Sequence, residues 1–393
     1  MTRLFVGNFS FEQSLAGSEN LSRPVARLEA ELAWIWLAVA DDGDEILSPI
    51  EFESTDWGHF RDLGCPRVRA LSPASLSTSK ATRLVPWGWT PRVRALAKSL
   101  GIPVHAPDQE TVQRVNSRAF GAELSQRMDA LLPGEGVASS LEEAVSLVEN
   151  LIQQGEKWII KPNHGQAGRG QIRGDGPLQD RARVTVERMI ARGPVHVEPV
   201  LTPVMEVGGQ WDIPCQGEPK LVGLTRLFSR ENGGYAGTAF DLSGLSDELG
   251  NRLISLQARA VAEVQQEGYF GPVGIDAMIF QSQNGIRVRA IQDLNARWTM
   301  GRIAWEWSRC WQTRFPASRS ERDSPHPEMN GHFCDEMTSS PVGDVAEGIA
   351  TSQGRWISSA SPLSPKAILL SPETLGGLPV QNRIWWEPPL LEE

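Results

Sequence analysis

The sequence lacks several patterns that would assign it directly to a functional class. Its four cysteines, Cys65, Cys215, Cys310 and Cys334, form no CxxC pair and show no Cys/His spacing typical of a metal site. This indicates isolated reduced thiols, as in a cytoplasmic protein. The sequence also contains no Gly-Lys-Ser/Thr P-loop, no GxGxxG turn that opens a helix, and no recognisable Ser/His/Asp or Cys/His nucleophile. Common nucleotide-binding loops and nucleophilic hydrolases are therefore not indicated.

Excess positive charge and long apolar runs are lacking as well. The 38 basic and 48 acidic residues give a formal net charge of −10, which argues against a general nucleic-acid-binding surface but allows a local basic pocket for phosphates. The most apolar run, LAWIWLAVA (32–40), is too short to cross a bilayer. The N-terminus has no signal-peptide pattern. We therefore expect a cytoplasmic protein that binds neither membranes nor nucleic acids.

The chain is long enough for more than one hydrophobic core. Its 393 residues, 40% hydrophobic and 22% charged, are typical of a globular protein with two or three domains. We predict an N-terminal α/β domain with a mostly parallel sheet (1–108) and two mixed α+β segments (109–196 and 197–315). A mobile linker with a C-terminal strand and tail (316–393) follows them.

Apolar periodicity and capping signals predict the main elements. Near the N-terminus, the strand RLFVGNF precedes one long helix, RPVARLEAELAWIWLAVA, and residues 82–107 are predicted as strand, helix and strand. Further helices are predicted over residues 110–132, 141–155, 180–192 and 247–267. Strands are predicted at KWIIK, VHVEPVL, GEPKLVGLTRLFSR and KAILLSP, and as a hairpin over residues 271–297.

The hairpin carries a row of polar residues. Asn284 and Gly285 predict a two-residue type I′ turn, so that Gln283 faces Ile286 and Asp276 falls opposite Asp293. Two facing carboxylates repel each other. A divalent cation, Mg²⁺ or Mn²⁺, would resolve the conflict, with Asn295 as a third oxygen ligand on the same face. The alternative is a surface hairpin with solvated charges, and a bulge would shift the register.

A glycine-rich stretch, WIIKPNHGQAGRGQI (158–172), is the second informative segment. Lys161 ends a strand, and Gly165, Gly168 and Gly170 allow backbone N–H groups to turn towards an anion. Lys161 and Arg169 could add charge-assisted hydrogen bonds. Taken alone, the stretch is equally typical of an ordinary glycine loop.

Together, these segments resemble the ATP-grasp superfamily. The resemblance covers residues 110–310 and rests on the order of VNSR, IIKPNHGQAGRG, VHVEPVL, GPVGIDAMIF and IQDLNAR. It implies an N-terminal α/β pre-grasp domain followed by a two-lobed fold with antiparallel sheets. It also implies ATP and Mg²⁺ as cofactors, with an acceptor substrate held partly by the N-terminal domain.

The resemblance also implies roles for individual residues. Lys161 is similar to a phosphate-binding lysine, and residues 163–170 to a loop that closes over the β- and γ-phosphates. Asp276, Asp293 and Asn295 match the magnesium ligands, and Arg297 the arginine that steadies a phosphorylated intermediate. The implied nucleotide-binding residues are Arg118, Lys161, Gly165, Gly168, Arg169, Gly170, Glu198, Val200 and Leu201, of which the last three resemble the hinge that contacts adenine.

Three positions depart from the superfamily pattern. Arg118 stands where lysine is usual, which keeps the charge but changes the geometry. Asp293 replaces a common glutamate and reaches one methylene less. Pro199 follows Glu198 where a basic or aromatic residue is common. These departures affect the expected nucleotide affinity more than the expected fold.

Further candidate substrate contacts lie outside the matching motifs. In RLFSRENGGYAGTAF (226–240), Arg226, Arg230 and Tyr235 could clamp a substrate carboxylate, or could belong to a solvent-exposed loop. The two tryptophans of VPWGWT (85–90) stand near a strand end, where α/β sheets bind ligands, or could pack in the core.

The predicted function is an ADP-forming carboxylate–amine ligase. Arg297 and Lys161 are the predicted catalytic residues, and small carboxylates and amines, such as amino acids or peptides, are the expected substrates. The alternatives are a kinase or phosphotransferase with the same fold, a non-catalytic nucleotide-binding module, and a metal-binding hairpin unrelated to ATP. The oligomeric state is open, with a homodimer as one option.

Overall fold

A computed structural model describes residues 1–17, 22–51, 60–61, 64–165, 170–229 and 235–314, together with five short C-terminal strands. The strands form one parallel sheet, two antiparallel sheets and a two-stranded ribbon. The predicted combination of α/β and α+β architecture is therefore confirmed. Within the described ranges, no helix combines the length and apolar character needed to span a bilayer.

The N-terminal sheet is parallel in every pairing, as predicted. Its strands are β1 (Arg3–Val6), β2 (Glu45–Leu47), β3 (Arg69–Leu71) and β4 (Arg83–Pro86), and its helices are α1 (Phe11–Leu15), α2 (Arg23–Leu32) and α3 (Pro91–Ser99). The order β3-β2-β1-β4 places β1 beside β4. Because the chain leaves β1 on one side and returns on the other, a crevice opens between the carboxyl ends of these two strands.

Two N-terminal predictions are wrong. The long helix stops at Leu32 and continues as a 3₁₀ helix, Ala33–Ala38, in which all six side chains are buried. Packing on every side, rather than a helical amphipathic period, sets the conformation of this segment. The strand predicted at the end of 82–107 is not formed, since Pro103 and Pro107 have no N–H for a ladder.

The helix predicted over 110–132 is divided into α4 (Gln109–Val115) and α5 (Arg118–Arg127). Asn116 causes part of the break, because its amide donates to Val112 O at 2.8 Å and accepts from Ala296 N at 2.9 Å. The Ser117 hydroxyl then caps α5 by accepting from Phe120 N at 3.2 Å. The break places Arg118 in the first turn of α5.

The small lobe is an antiparallel sheet covered by two helices. It contains β5 (Gly136–Ala138), β6 (Trp158–Pro162), β7 (Ile172–Gly174) and β8 (Val195–Pro199), with α6 (Leu141–Gln153) and α7 (Asp180–Ile190). The strand order is β5-β8-β6-β7. Its buried side chains form a hydrophobic core of their own.

The large lobe is built on an eight-stranded antiparallel sheet. Its strands up to residue 295 are β9 (Thr202–Ile213), β10 (Lys220–Ser229), β11 (Tyr235–Ala239), β12 (Gly271–Ser282) and β13 (Gly285–Asn295), and its helices are α8 (Asp247–Gln266) and α9 (Met300–Arg314). The order begins β13-β12-β9-β10-β11. One core joins this lobe to the N-terminal domain, since Trp36, Trp211, Val261 and Trp307 belong to the same cluster.

The segment boundaries differ slightly from those expected. The predicted boundary at 196 lies within β8, and the chain passes between the two sheets at Val200–Leu201. The predicted linker over 316–345 lies outside the described residues. The C-terminal strands are β14 (Arg355–Ser358), β15 (Ile368–Leu369), β16 (Thr374–Leu375), β17 (Leu378–Pro379) and β18 (Ile384–Glu387). Of these, β14, β18 and β15 extend the large sheet beyond β11, so the tail is partly a strand.

The hairpin prediction is correct at the aspartates and wrong at the turn. Ser282 pairs with Gly285, so the loop is Gln283–Asn284, and only Gly285 has a positive φ, +97°. A bulge between Asp276 and Met278 then shifts the register and restores the predicted pairing of Asp276 with Asp293.

Candidate functional site

Asp276 and Asp293 are direct partners across β12 and β13, and Asn295 lies two residues beyond Asp293 on the same face. Burial and, after it, the nearby Asp293 carboxylate raise the pKa of Asp276 to about 7, and Arg297 offsets only part of this rise. The two aspartates therefore form a paired-acid site that lacks a full complement of positive charge.

Neighbouring side chains partly satisfy these acids. Asn295 Nδ2 donates to Asp276 Oδ2 at 3.2 Å, and Arg118 Nη2 donates to Asp293 Oδ2 at 2.9 Å. Arg118 Nη1 also donates to Pro162 O at 2.7 Å, while its Nε is buried without a partner in the structure. Arg118 thus links the end of β6 to β13, the strand that carries Asp293.

The donor set fits a hard divalent cation. Two carboxylates that face each other, with a side-chain amide beside them, supply the oxygen donors that Mg²⁺ prefers. The raised pKa of Asp276 shows that a cation would relieve the repulsion. Asn295 would have to present its oxygen rather than its Nδ2, and that oxygen now accepts from Arg297 Nη2 at 2.8 Å.

The phosphate-loop residues are described in part. Lys161 lies on β6 and Gly165 and Gly170 flank the loop, with Gly170 at φ +77°. Gly168 and Arg169 lie outside the described residues. His164 is partly buried next to Arg118 and Asp293, and burial lowers its pKa. The glycine-loop prediction therefore stays a prediction.

Lys161 is paired with a buried acid. Its Nζ lies 2.5 Å from Glu198 Oε1, and Glu198 is 2% exposed. Burial would raise the pKa of Glu198, but Arg289 and then Lys161 outweigh it and hold that pKa well below its usual range. The Glu198 carboxylate therefore bonds to these two cations. The predicted contact of the hinge residues Glu198, Val200 and Leu201 with adenine stays a prediction.

A second group of potential metal ligands lies behind Glu198. Glu135, His196 and Glu198 bring their ligand atoms within 4.8 Å of one another. Arg289 Nη2 lies 2.7 Å from Glu135 Oε1 and 2.8 Å from Glu198 Oε2, so a guanidinium already supplies the positive charge. This cluster is an ion-pair network rather than a metal site.

Arg297 is held by the N-terminal domain. It forms a close ion pair with Glu12, and its Nη1 donates to Trp298 O at 2.8 Å. Its guanidinium carbon lies 5.7 Å from the centre of the Trp87 ring. Glu12 is 8% exposed, and its Oε2 has no partner in the structure.

Glu12 lies at the crevice between β1 and β4. Asn8 Nδ2 donates to Gly88 O at 2.8 Å and connects the loops that follow these two strands. Trp298 N donates to Trp87 O at 3.0 Å and fixes the same loop to the segment beyond β13. Sequence analysis missed Glu12, although its position shortly after a parallel strand was a usable signal.

The predicted substrate residues on β10 and β11 make no contact with the aspartate pair among the described hydrogen bonds and ion pairs. Arg226 pairs with Val207, which pairs with Ala277, so Arg226 lies on the opposite sheet face from Asp276. The structure therefore does not bring Arg226 to the sheet face that carries the Asp276 side chain. The Tyr235 hydroxyl lies 2.7 Å from Thr238 Oγ1, and burial raises the tyrosine pKa. Arg230 lies outside the described residues.

Comparison with solved structures reveals the same fold in several nucleotide complexes. A *Campylobacter jejuni* biotin carboxylase in a β-γ-ATP complex superposes with a TM-score of 0.58 at 11% identity, over 98% of this chain and 87% of that one. The biotin carboxylase domain of *Hydrogenobacter thermophilus* 2-oxoglutarate carboxylase, with MgADP, ADP and bicarbonate, gives 0.55 at 11% identity, over 98% and 86%.

A third similar structure is N5-carboxyaminoimidazole ribonucleotide synthetase from *Thermus thermophilus*, with a TM-score of 0.53 at 12% identity, over 99% of this chain and 93% of that one. No family model and no curated protein matches the sequence. At these identities, the structural similarity establishes the fold. The chain therefore shares the fold of these three structures, in line with the fold that its motif order predicted.

Proposed function

We propose that the protein is an ATP-dependent ligase that joins a carboxylate to an amine and releases ADP and phosphate. The observation that carries the proposal is the pairing of Asp276 with Asp293, beside Asn295 and Arg297, on one face of the large sheet. Lys161 supplies a phosphate-binding cation from the small lobe. A cytoplasmic location, where ATP is supplied, completes the proposal.

The nucleotide would lie between the two lobes. Lys161, Arg118 and the backbone around Gly165 and Gly170 would contact its phosphates, and Val200–Leu201 would contact its base. Mg²⁺ held by Asp276, Asp293 and Asn295 would neutralise charge on the β- and γ-phosphates. Arg118 would then exchange its hydrogen bond with Asp293 for one with phosphate.

The reaction would proceed in two balanced steps. A substrate carboxylate oxygen attacks the γ-phosphorus, the bond to the β–γ bridging oxygen breaks, and ADP leaves with that electron pair. The amine then attacks the acyl carbon of the acylphosphate, and phosphate leaves as the amide forms and the amine nitrogen loses a proton. Positioning and electrostatics supply most of such catalysis, which is consistent with the lack of a recognisable nucleophile.

Arg297 is the residue proposed to stabilise the acylphosphate. Its nitrogens now bond to Glu12, Asn295 and Trp298 O. A substrate anion would compete with Glu12 for the guanidinium, and Glu12 would keep Arg297 directed towards the crevice at the carboxyl ends of β1 and β4. The N-terminal domain would thereby help to form the acceptor site.

One observation favours a second candidate, a non-catalytic nucleotide-binding module. Arg118 donates to Asp293, so a guanidinium already neutralises part of the charge that Mg²⁺ would neutralise. In that case the protein would bind MgADP without turning over ATP. A kinase with this fold would instead form a phosphorylated product and no amide.

The test combines binding with turnover. Purified full-length protein is heated with ADP, with Mg²⁺ and with both, since a ligand that binds the folded state raises the Tm. It is then incubated with ATP, Mg²⁺ and pooled amino acids, with ADP release and amide products measured by mass spectrometry. We expect stabilisation by MgADP and loss of ADP release in Asp293→Ala, with Asp247→Ala, at an exposed helix start, as the control. Unchanged ADP release in Asp293→Ala would contradict the metal assignment.

A further inference from the structure

Five ionisable side chains, one of them His196, form a connected network between the lobes. Glu198, Arg289, Glu135 and His196 make a ring: Arg289 Nη2 bonds to both carboxylates, and His196 lies 2.8 Å from Glu135 and 3.4 Å from Glu198. Lys161 is attached to this ring through Glu198. The four ring residues are each at most 7% exposed.

The ring crosses from one lobe to the other. Glu135 precedes β5, and His196 and Glu198 lie on β8 of the small lobe. Arg289 belongs to β13 of the large lobe, the strand that also carries Asp293, and it pairs with Met278 on β12. Arg289 is therefore the one cation of this network that the large lobe provides.

The charges restrict how Lys161 can act. If the Lys161 ammonium exchanges Glu198 for a phosphate, a carboxylate left unpaired at 2% exposure would carry a large desolvation cost. Arg289 Nη2 lies 2.8 Å from Glu198 Oε2, whereas Lys161 contacts the other oxygen, Oε1, so the two contacts use different atoms of the carboxylate. The guanidinium thus keeps Glu198 neutralised and lowers the cost of releasing the lysine.

We propose that Arg289 is a positioning residue that frees Lys161 for the nucleotide by retaining the charge of Glu198, with Glu135 and His196 holding Arg289 in place. This rests on the proposed nucleotide-binding function and adds a contribution of the large lobe to phosphate binding. Arg289 itself does not contact the nucleotide. If the network only stabilised the fold, its contacts would be the same, but nucleotide affinity would not depend on the charge of Glu198.

The decisive variant removes Arg289 without leaving an excess charge. Arg289→Met alone would leave two buried carboxylates short of a cation, so Glu135→Gln is combined with it. In this double variant, Lys161 is the remaining lysine or arginine that contacts Glu198, and His196 is its other neighbour. A triple variant adds Glu198→Gln, which removes the acid that retains the lysine.

MgADP affinity is the readout, because it requires no knowledge of the acceptor substrate. We expect the double variant to bind MgADP about tenfold more weakly, as for loss of one strong charge-assisted bond. The triple variant should recover to within about threefold of the wild type, since Lys161 is released. Arg289→Lys, which keeps a cation beside Glu198, should lose about threefold or less.

The control removes an ion pair of the large lobe that joins the buried Arg302 to the half-buried Asp212, with Glu306 as a further partner of Arg302. Arg302 bonds to both oxygens of Asp212 at 2.8 and 3.0 Å and is 6% exposed. Arg302→Met with Asp212→Asn is likewise charge-balanced, and should leave MgADP affinity unchanged. Unfolding followed by circular dichroism confirms that each variant is folded at the binding temperature.

The outcomes separate this inference from the proposed function. A wild-type protein that does not bind MgADP would refute the proposed function itself. If the wild type binds, an unchanged affinity in the double variant overturns the role of Arg289. Failure of the triple variant to recover, or a tenfold loss in Arg289→Lys, overturns the charge argument and leaves the network as a structural brace.

Discussion

The half-buried Asp276 and the buried Glu198 have pKa values that are shifted in opposite directions. Asp276 of the large lobe has a pKa raised to about 7 by burial and by Asp293. Glu198 of the small lobe is more buried, yet Arg289 and Lys161 hold its pKa well below the usual range. Burial alone therefore does not set the charge state of these acids. Glu198 contacts one cation from each lobe, Lys161 and Arg289, whereas the aspartate pair would need a further cation.

The strongest test of this difference is Asp276→Asn. The substitution keeps the shape but removes one of two metal-binding carboxylates, so we expect ATP turnover to fall by about a thousandfold, in the range seen when charge stabilisation is removed from a site. ADP release at saturating Mg²⁺ measures the effect. A loss below about tenfold would contradict the idea that this pair holds the cation.

For the second acid, Glu198, the corresponding test is Arg289→Met. This variant should reduce the free energy of unfolding by about 3 kcal/mol or more, because it leaves a buried carboxylate uncompensated. Combining it with Glu135→Gln should recover part of that loss. Urea unfolding of the two variants measures the difference. Equal destabilisation in both would mean that packing, not charge, makes Arg289 important.

The pH dependence of stability offers a third comparison. Between about pH 4 and 7, unfolded Asp276 is ionised while the folded residue retains its proton, so the unfolded state binds fewer protons and stability falls as pH rises. We expect this to contribute roughly 2 kcal/mol in EDTA, less than an unscreened shift would give. Asp276→Asn should remove the contribution, and Mg²⁺ should offset it in the wild type. If the free energy of unfolding changed with pH in the same way in the variant and the wild type, Asp276 would make no such contribution.

The smallest effect concerns the turn that joins the strand of Asp276 to the strand of Asp293. Gly285 has φ +97° with open space around it, so Gly285→Ala should cost about 1 kcal/mol through backbone strain alone. Gly121→Ala, in α5 with equally open space, should instead stabilise the protein by about 0.5 kcal/mol. Thermal unfolding compares the two. Opposite signs support the observed turn, and a neutral Gly285→Ala contradicts it.

Local signals predicted the acid pair better than its surroundings. Alternation of side chains along a strand predicted that Asp293 and Asn295 share one face, and β13 contains both, whereas Arg297 lies beyond its last residue. The strand order agrees with the predicted fold class. The predicted register at Asp276 was correct because the wrong turn was offset by a bulge, which no propensity in the sequence revealed. Glu12, Glu135 and Arg289 were missed, since their partners lie 285, 61 and 91 residues away, respectively.

The distribution of apolar side chains determines which parts of the molecule can separate. The N-terminal domain and the large lobe share a single core that includes Phe5, Trp36 and Trp307, whereas the small lobe has a separate core. Opening the cleft by moving the small lobe about Val200–Leu201 would leave both cores intact and break mainly polar contacts. If the nucleotide binds as proposed, movement of the small lobe would admit and release it, while the N-terminal domain and the large lobe would stay joined through their shared core.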